Sequence, residues 1–321
     1  MRPGSSQTAV ILIAGPTASG KSALALDLAI ALDGVIINAD ALQVYADLRI
    51  LSARPDDTAM AQAPHRLYGC LDAAITGSAG WWRDAALAEI DAAHEAGRLP
   101  IVVGGTGLYL RALQHGLADI PPVPALVRQQ VTALYEELGG AAFRERLVVL
   151  DPAAAARLPV GDRQRLIRAW EIVQATGLTQ AEWQQRSSTP TTVISPLRFA
   201  TILLAPPRAA LYATCDARFR SMITAGGLDE AAALMARGLD PALPAMKGVG
   251  VPEILAHLRG ERDLEGAIAA AQQATRRYAK RQTTWFRHQI QPGLTLVEQY
   301  SESLLRCSRH FIEGFLLTKT G

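Results

Sequence analysis

The stretch AVILIAGPTASGKSALAL, residues 9–26, decides the fold. Val10–Ala14 reads as a buried strand. The apolar spacing that resumes at Lys21 reads as a helix, Lys21–Leu32, with Leu24, Leu28 and Ala31 on one face. Between them, Gly15-Pro16-Thr17-Ala18-Ser19-Gly20-Lys21-Ser22 fits G-x-x-x-x-G-K-[ST]. Glycines at this spacing let backbone N–H groups close around phosphate oxygens, and the helix that follows offers its positive end. In that reading the eight loop residues hold the phosphates, Lys21 reaches the outer one, and the Ser22 hydroxyl holds Mg2+. The motif fixes a phosphate-rich ligand and leaves the reaction open.

Working outward, Val35–Asn38 reads as a second strand that ends at Asp40. Ala79–Ala96 is an amphipathic helix closed by Gly97, followed by the strand Pro100–Val103 and the turn Gly104-Gly105-Thr106-Gly107. Strands that alternate with helices imply parallel βαβ units. Ligands in such sheets sit beyond the carboxyl ends of the strands, so the loop, Asp40 and Thr106 are expected to face one crevice. The expected fold is α/β: a P-loop NTPase-like parallel sheet flanked by helices, with an all-helical insertion.

The run Ile120-Pro121-Pro122-Val123-Pro124 marks the start of that insertion, taken as 118–196 within a discontinuous core of 1–117 and 197–321. Asp162 is the expected N-cap of a helix Arg163–Ala175, stopped by Gly177. A polar stretch, Ser187–Thr192, leads back to a strand, Phe199–Leu204, and helices follow at about 208–237 and 262–289.

With 321 residues, 49% hydrophobic and 19% charged, the chain suits a globular protein with a large core. A net charge of +2 announces no polyanion partner, so any nucleic-acid surface must come from local clustering. Only four of the 32 basic residues are lysine, and arginine suits bidentate phosphate contact. Cys70, Cys215 and Cys307 are isolated, which argues against a disulfide framework or a zinc site. Without a signal-like segment or an apolar run near about 20 residues, the expectation is a cytoplasmic protein with no membrane partner.

Adjacent to the loop, Asp40 fits two roles, an acid assisting Mg2+ or a general base, and spacing alone leaves both open. Arg165 and Arg168 share a helix face opposite Leu166, Ile167, Trp170 and Val173. In TRRYAKRQTTWFR, Arg276/Lys280 and Arg277/Arg281 are four apart and interleave with Tyr278, Trp285 and Phe286. Such interleaving suits phosphate contact with base stacking, although on the residues alone a solvated basic face over core aromatics is the better reading. His65 is expected to serve a structural hydrogen bond.

Six motifs occur in order: GPTASGKS, DALQVY (40–45), APHRLYG (63–69), GRLPIVVGGTGLYLRAL (97–113), DRQRLIRAWEI (162–172) and KRQTTWFR (280–287). Together they resemble the bacterial tRNA dimethylallyltransferases, also called tRNA isopentenyltransferases, over roughly residues 9–290. The resemblance implies transfer of a dimethylallyl group from dimethylallyl diphosphate to N6 of adenine 37, beside the anticodon. It makes Asp40 the general base and assigns Lys21, Thr106 and Arg218 to the catalytic site, with Mg2+ as cofactor. It places tRNA contacts at Asp40, Ala41, Leu42 and Gln43, at Thr106 and Arg128, and at Gln164, Arg165, Leu166, Ile167 and Arg168. Further contacts fall at Lys247, Gly248 and Val249, and at Lys280, Arg281 and Trp285. The Gln43 amide is a candidate reader of an adenine edge. The implied partners are the anticodon stem-loop and the donor, with the protein a monomer.

This chain departs from the family pattern at three places. Ala41 stands where many members have serine, Thr214 where relatives carry arginine, and Val251-Pro252 where an aromatic follows Val-Gly. If that missing arginine grips diphosphate, Arg218 or Arg208 has to compensate. Prenylation of free AMP or ADP, a small-metabolite kinase and an RNA-binding ATPase are the alternatives.

Overall fold

The computed structural model describes residues 8–187 and 197–318, so most of the expected polar stretch and the expected boundary at 196 lie outside the described residues. Its strands are β1 (Ala9–Ala14), β2 (Gly34–Asn38), β3 (His65–Arg66), β4 (Leu99–Gly104), β5 (Arg198–Leu204) and β6 (Leu294–Leu296). They form one sheet in the order β3-β2-β4-β1-β5-β6, with every pair parallel. The helices are α1 (Lys21–Leu32), α2 (Asp57–Gln62), α3 (Ala79–Glu95), α4 (Gly107–His115), α5 (Ala125–Leu150), α6 (Pro152–Arg157) and α7 (Arg163–Thr176). After them come α8 (Gln180–Ser187), α9 (Arg208–Met222), α10 (Leu228–Ala236), α11 (Val251–Leu258), α12 (Leu264–Gln289) and α13 (Glu302–Leu317).

β1 shows why its sequence is apolar throughout. It lies between β4 and β5, and all six of its residues are buried. A central parallel strand has helices on both faces, so neither set of alternating side chains meets water. Val10, Leu12 and Ala14 enter the core layer that also holds Trp82, Tyr109 and Phe286. Ile11 and Ile13 enter the opposite layer, with Leu24 and Leu28 of α1 and Ile312 of α13. Ala31, expected beside Leu24, is exposed; the buried face of α1 runs through Ala25 and Ala29 instead.

The described residues separate into two compact units, one drawn from Met1–His115 and Pro196–Gly321, the other from Gly116–Ser195. The second is helical and has its own core, built on Val131, Phe143, Leu147, Leu158 and Leu166. Gly139, at φ +70°, breaks α5 into two helical stretches. Asp162 caps α7 by accepting from the Arg165 N–H at 3.4 Å, and Gly177 ends it in the left-handed region.

In the α/β unit the helix expected at 208–237 is interrupted by a wide turn, Ile223–Gly227, where Gly226 takes φ +103°. That turn separates α9 from α10. Sequence periodicity gave no sign of the two-residue β3, of β6 or of α13.

Candidate active site

The phosphate loop leaves β1 and enters α1 through Gly20 at φ +88°, a left-handed entry that favours glycine. Ala18 also sits at φ +64°, a strained conformation for a side-chain-bearing residue and of the kind stored at ligand sites. No side chain caps α1, so its first N–H groups point out of the helix end unpaired, as an anion cradle requires. The Ser19 hydroxyl is fully buried and has no hydrogen-bond partner among the described residues. Lys21 donates to the Pro16 carbonyl at 3.3 Å. Burial lowers its ammonium to about 8; the negative charge of Asp40 opposes that shift, and Arg218 adds to it. Ser22 is exposed at the helix end.

The β2 end is organised by Asn38. Its amide oxygen accepts from the Asp40 N–H at 2.9 Å, and its NH2 donates to the carbonyls of Asp40 at 3.1 Å and Leu67 at 3.0 Å. The Trp82 indole donates to the Asn38 carbonyl at 2.7 Å, and Trp82 stacks on Tyr109 with centroids 4.5 Å apart. Asp40 is thereby fixed at the strand end. Its Oδ1 accepts from the Leu42 N–H at 3.0 Å; the other oxygen carries no hydrogen bond among the described residues. A carboxylate with one oxygen tethered and one free is well placed to accept a proton.

Thr106, at the β4 end, accepts from the Ala41 N–H at 2.9 Å, and its own N–H donates to the Ala39 carbonyl at 3.2 Å. These bonds hold the β2 and β4 loops together, and the Thr106 hydroxyl also bonds to the buried Tyr278 phenol.

One cleft of about 460 Å³, counting space open to solvent, takes in Thr17, Asp40, Arg218 and Tyr278 on its polar side. Its apolar wall is Leu42, Leu51, Phe219, Met222 and Val249. Arg218 donates to the Thr17 hydroxyl, and burial pulls its pKa down. Burial, reinforced by the charge of Asp40, keeps the phenols of Tyr68 and Tyr278 protonated. Burial, then Tyr45 and Asp40, does the same for Tyr109. The arrangement therefore pairs an anion cradle with a free carboxylate oxygen, beside a cleft whose lining is part apolar and part polar, with Ser52, Thr275 and Tyr278 among the polar groups.

The residues expected to meet RNA divide sharply. Gln164 and Arg165 of α7 are exposed; Arg165 lies 3.5 Å from Asp162. Arg168 and Arg128 both approach Glu171, at 3.3 and 3.6 Å. Leu166 and Ile167 are core residues of the helical unit, so their side chains are spent on packing. The Gln43 NH2 donates to the carbonyls of Ser52 at 3.0 Å and Ala53 at 2.8 Å, so only its side-chain oxygen is left to meet an adenine edge, as an acceptor.

On α12, Lys280 and Arg281 are exposed, with the Arg281 guanidinium over the Tyr278 ring. Phe286 is 2% exposed and stacks in the core rather than on a base. Trp285 is half-buried, edge-on to Phe286, while Arg276 is paired with Asp216. Lys247 is exposed, Gly248 is buried, and Val249 lines the cleft. Ala41 contributes its N–H to Thr106 whatever its side chain. Thr214 is exposed and Arg208 lies over the Tyr212 ring, so Arg218 is the arginine on the loop. His65 accepts its structural role, bonded to the Ala63 carbonyl at 2.8 Å.

Two residues escaped the sequence reading. Asn38 sits inside a strand with nothing local to mark it, and Gln282 lies between the basic residues of KRQTTWFR. Gln282 accepts from the Thr17 N–H at 2.8 Å and donates to the Gly105 carbonyl at 2.8 Å.

Residues 43–289 match a family model described as IPP transferase. The chain belongs to the IPP transferase family. Among family members, the tRNA dimethylallyltransferase of Rhodospirillum centenum is 59% identical over 88% of this chain and 89% of the relative. That of Paramagnetospirillum magneticum is 51% identical over 98% and 99%. The full-length tRNA isopentenylpyrophosphate transferase of Bacillus halodurans superposes with a TM-score of 0.69 at 33% identity, over 96% of this chain and 97% of that one. A eukaryotic dimethylallyltransferase acting on tRNA gives 0.78 at 25% identity, over 96% and 80%. The family match starts at residue 43, after the phosphate loop and Asp40, while the P. magneticum relative aligns over nearly the whole chain. Among the described residues no helix is long and apolar enough to cross a membrane, and no cluster of His, Cys, Asp and Glu is arranged to hold a metal.

Proposed function

We propose that this protein transfers the dimethylallyl group of dimethylallyl diphosphate to N6 of adenine 37 in the anticodon loop of tRNA, releasing diphosphate. The observation that carries the reading is the shared cleft: Asp40, Arg218 and Thr17 of the phosphate loop border the same space, and Leu42, Leu51, Phe219, Met222 and Val249 give it an apolar side. A diphosphate ester of a five-carbon apolar chain matches that split in polarity.

The chemistry follows from these residues. The N6 lone pair of adenine is delocalised into the ring and is a poor nucleophile. As it attacks the first carbon of the allyl group, the C–O bond breaks and the diphosphate leaves with the bonding pair. Asp40 takes the N6 proton on its free oxygen, a general-base contribution typically worth about 10²–10⁴ in rate. The allylic carbon gains positive character as charge builds on the leaving oxygens. Lys21, Arg218 and the N–H groups at the start of α1 neutralise that charge without reorganising. Thr106 orients the purine with its hydroxyl.

Mg2+ suits the same place. A hard cation that keeps waters and binds mainly through phosphate oxygens needs little more from the protein than the Ser22 hydroxyl, and the described residues offer no larger ligand set. When bound it would offset charge on the departing diphosphate. The target base has to leave its stack to reach Asp40. The exposed basic residues Arg165, Lys247, Lys280 and Arg281 are the proposed phosphate contacts, with the helical unit 118–196 as an RNA-binding segment and the α/β unit as the catalytic one.

Mass spectrometry of an anticodon stem-loop incubated with the protein, Mg2+ and dimethylallyl diphosphate tests the reading. The expected product carries one five-carbon group on the adenine beside the anticodon. An unmodified stem-loop, with AMP prenylated instead, would replace tRNA by a free nucleotide as acceptor.

A further inference from the structure

The geometry points to Gln282 as the residue that makes this phosphate loop selective for a two-phosphate group over a three-phosphate one. The inference rests on the reading that the loop takes a diphosphate. A loop of the G-x-x-x-x-G-K-[ST] type works by aiming successive backbone N–H groups at phosphate oxygens. Here two of them are already used, the Ser19 N–H within the loop and the Thr17 N–H outside it. The Thr17 N–H, in the first half of the loop, donates to the Gln282 side-chain oxygen at 2.8 Å.

Gln282 is held in that position from its other end. Its NH2 donates to the Gly105 carbonyl at 2.8 Å, and the side chain is 6% exposed. A methyl group on residue 105 would come within 2.3 Å of the Gln282 amide nitrogen, so the glycine there is what lets the amide approach. The amide thus joins two loops remote in sequence, and a buried amide with both ends paired is expensive to displace.

The Thr17 side chain is engaged as well, by Arg218. The first half of the loop is therefore closed by protein groups on its N–H and on its hydroxyl. What remains for a ligand is the Ala18 N–H and those at the start of α1, with Lys21 and Ser22, because the Ser19 N–H donates to the Pro16 carbonyl at 3.3 Å. We assign the diphosphate to this reduced set of donors. A third phosphate would have to break the Thr17–Gln282 bond and leave a buried amide oxygen unpaired. Losing a hydrogen bond of this kind typically lowers affinity by about tenfold or more.

Isothermal titration of the full chain with inorganic pyrophosphate and with inorganic tripolyphosphate, at fixed Mg2+, tests this. The wild-type protein is expected to bind pyrophosphate about tenfold or more tightly than tripolyphosphate. Gln282→Ala frees the Thr17 N–H and opens space, so the preference falls to within about threefold. Gln282→Leu fills the volume without an acceptor and separates the lost hydrogen bond from lost packing, and it replaces the alanine variant should that one fail to fold. A preference that persists in both Gln282→Ala and Gln282→Leu overturns the assignment, as does a wild-type protein that binds the two anions equally. Failure of the wild-type protein to bind either anion is a different result: it removes the diphosphate reading of the loop and the inference with it.

Discussion

The two units place their basic residues under opposite physical conditions. In the α/β unit Lys21 and Arg218 are half-buried, their pKa values pulled down by burial, and each is tied to the loop. In the helical unit Arg165 keeps 69% of its side chain exposed and Arg168 keeps 40%, each beside an acidic neighbour three residues away on its own helix. Buried cations act on a ligand through a low dielectric and cost no reorganisation. Exposed ones act through screened, adjustable contacts. The first arrangement suits charge that develops during a reaction, and the second suits a long polyanion that has to dock and leave.

The largest expected effect comes from the buried side. Lys21→Ala should lower single-turnover prenyl transfer by about 10²–10³, as loss of one preorganised electrostatic group does, with stem-loop affinity within a few-fold. Quench-flow rates beside a fluorescence binding titration check it. A comparable loss of RNA affinity would blur the contrast between the units.

Leu166→Ala should destabilise the helical unit by about 2–5 kcal/mol, because the side chain is fully buried and leaves a cavity. A calorimetric melt reads this. A melt unchanged from wild type would put Leu166 back among the surface residues.

A pH titration sharpens the comparison further. Lys21 titrates near 8 in the free protein, so its positive charge is full below that pH and is lost as pH rises through it. A bound anion raises that pKa again. The donor KM should therefore climb above pH 8 while kcat at saturating donor holds to higher pH. Lys21→Arg stays charged throughout and should abolish the climb.

The smallest effects belong to the exposed cations. Arg165→Ala and Arg281→Ala should each weaken stem-loop binding a few-fold and reduce the slope of log K against log salt by about 1. Saturating kcat is expected to stay level. A slope identical to wild type would assign those arginines to a solvated face.

The same contrast explains how much was legible in the sequence. The loop, β1, β2, β4, the α7 cap at Asp162 and the core strand β5 declare themselves through residues near one another in the chain, because strand burial, helix caps and phosphate loops are local chemistry. What escaped depends on partners far away. Gln282 bonds to Thr17 across 265 positions, and no local pattern distinguishes it from Lys280 and Arg281 beside it. Nothing local in DALQVY shows that the Gln43 NH2 is taken up by the carbonyls of Ser52 and Ala53. Phe286 looked like a stacking surface among arginines but belongs to the same core layer as Trp82. The short β3 and β6 owe their strand character to the edges on which they pair, with β2 and β5, and little to their own sequence.

The central claim concerns Asp40, anchored by Asn38 with one oxygen left free beside the anion cradle. The direct test is the single-turnover rate of Asp40→Asn on an anticodon stem-loop, with stem-loop and donor affinities measured on the same preparation. The account predicts a rate lowered by about 10² or more with both affinities within a few-fold of wild type. A rate close to wild type, at unchanged affinities, would contradict it and send the proton elsewhere.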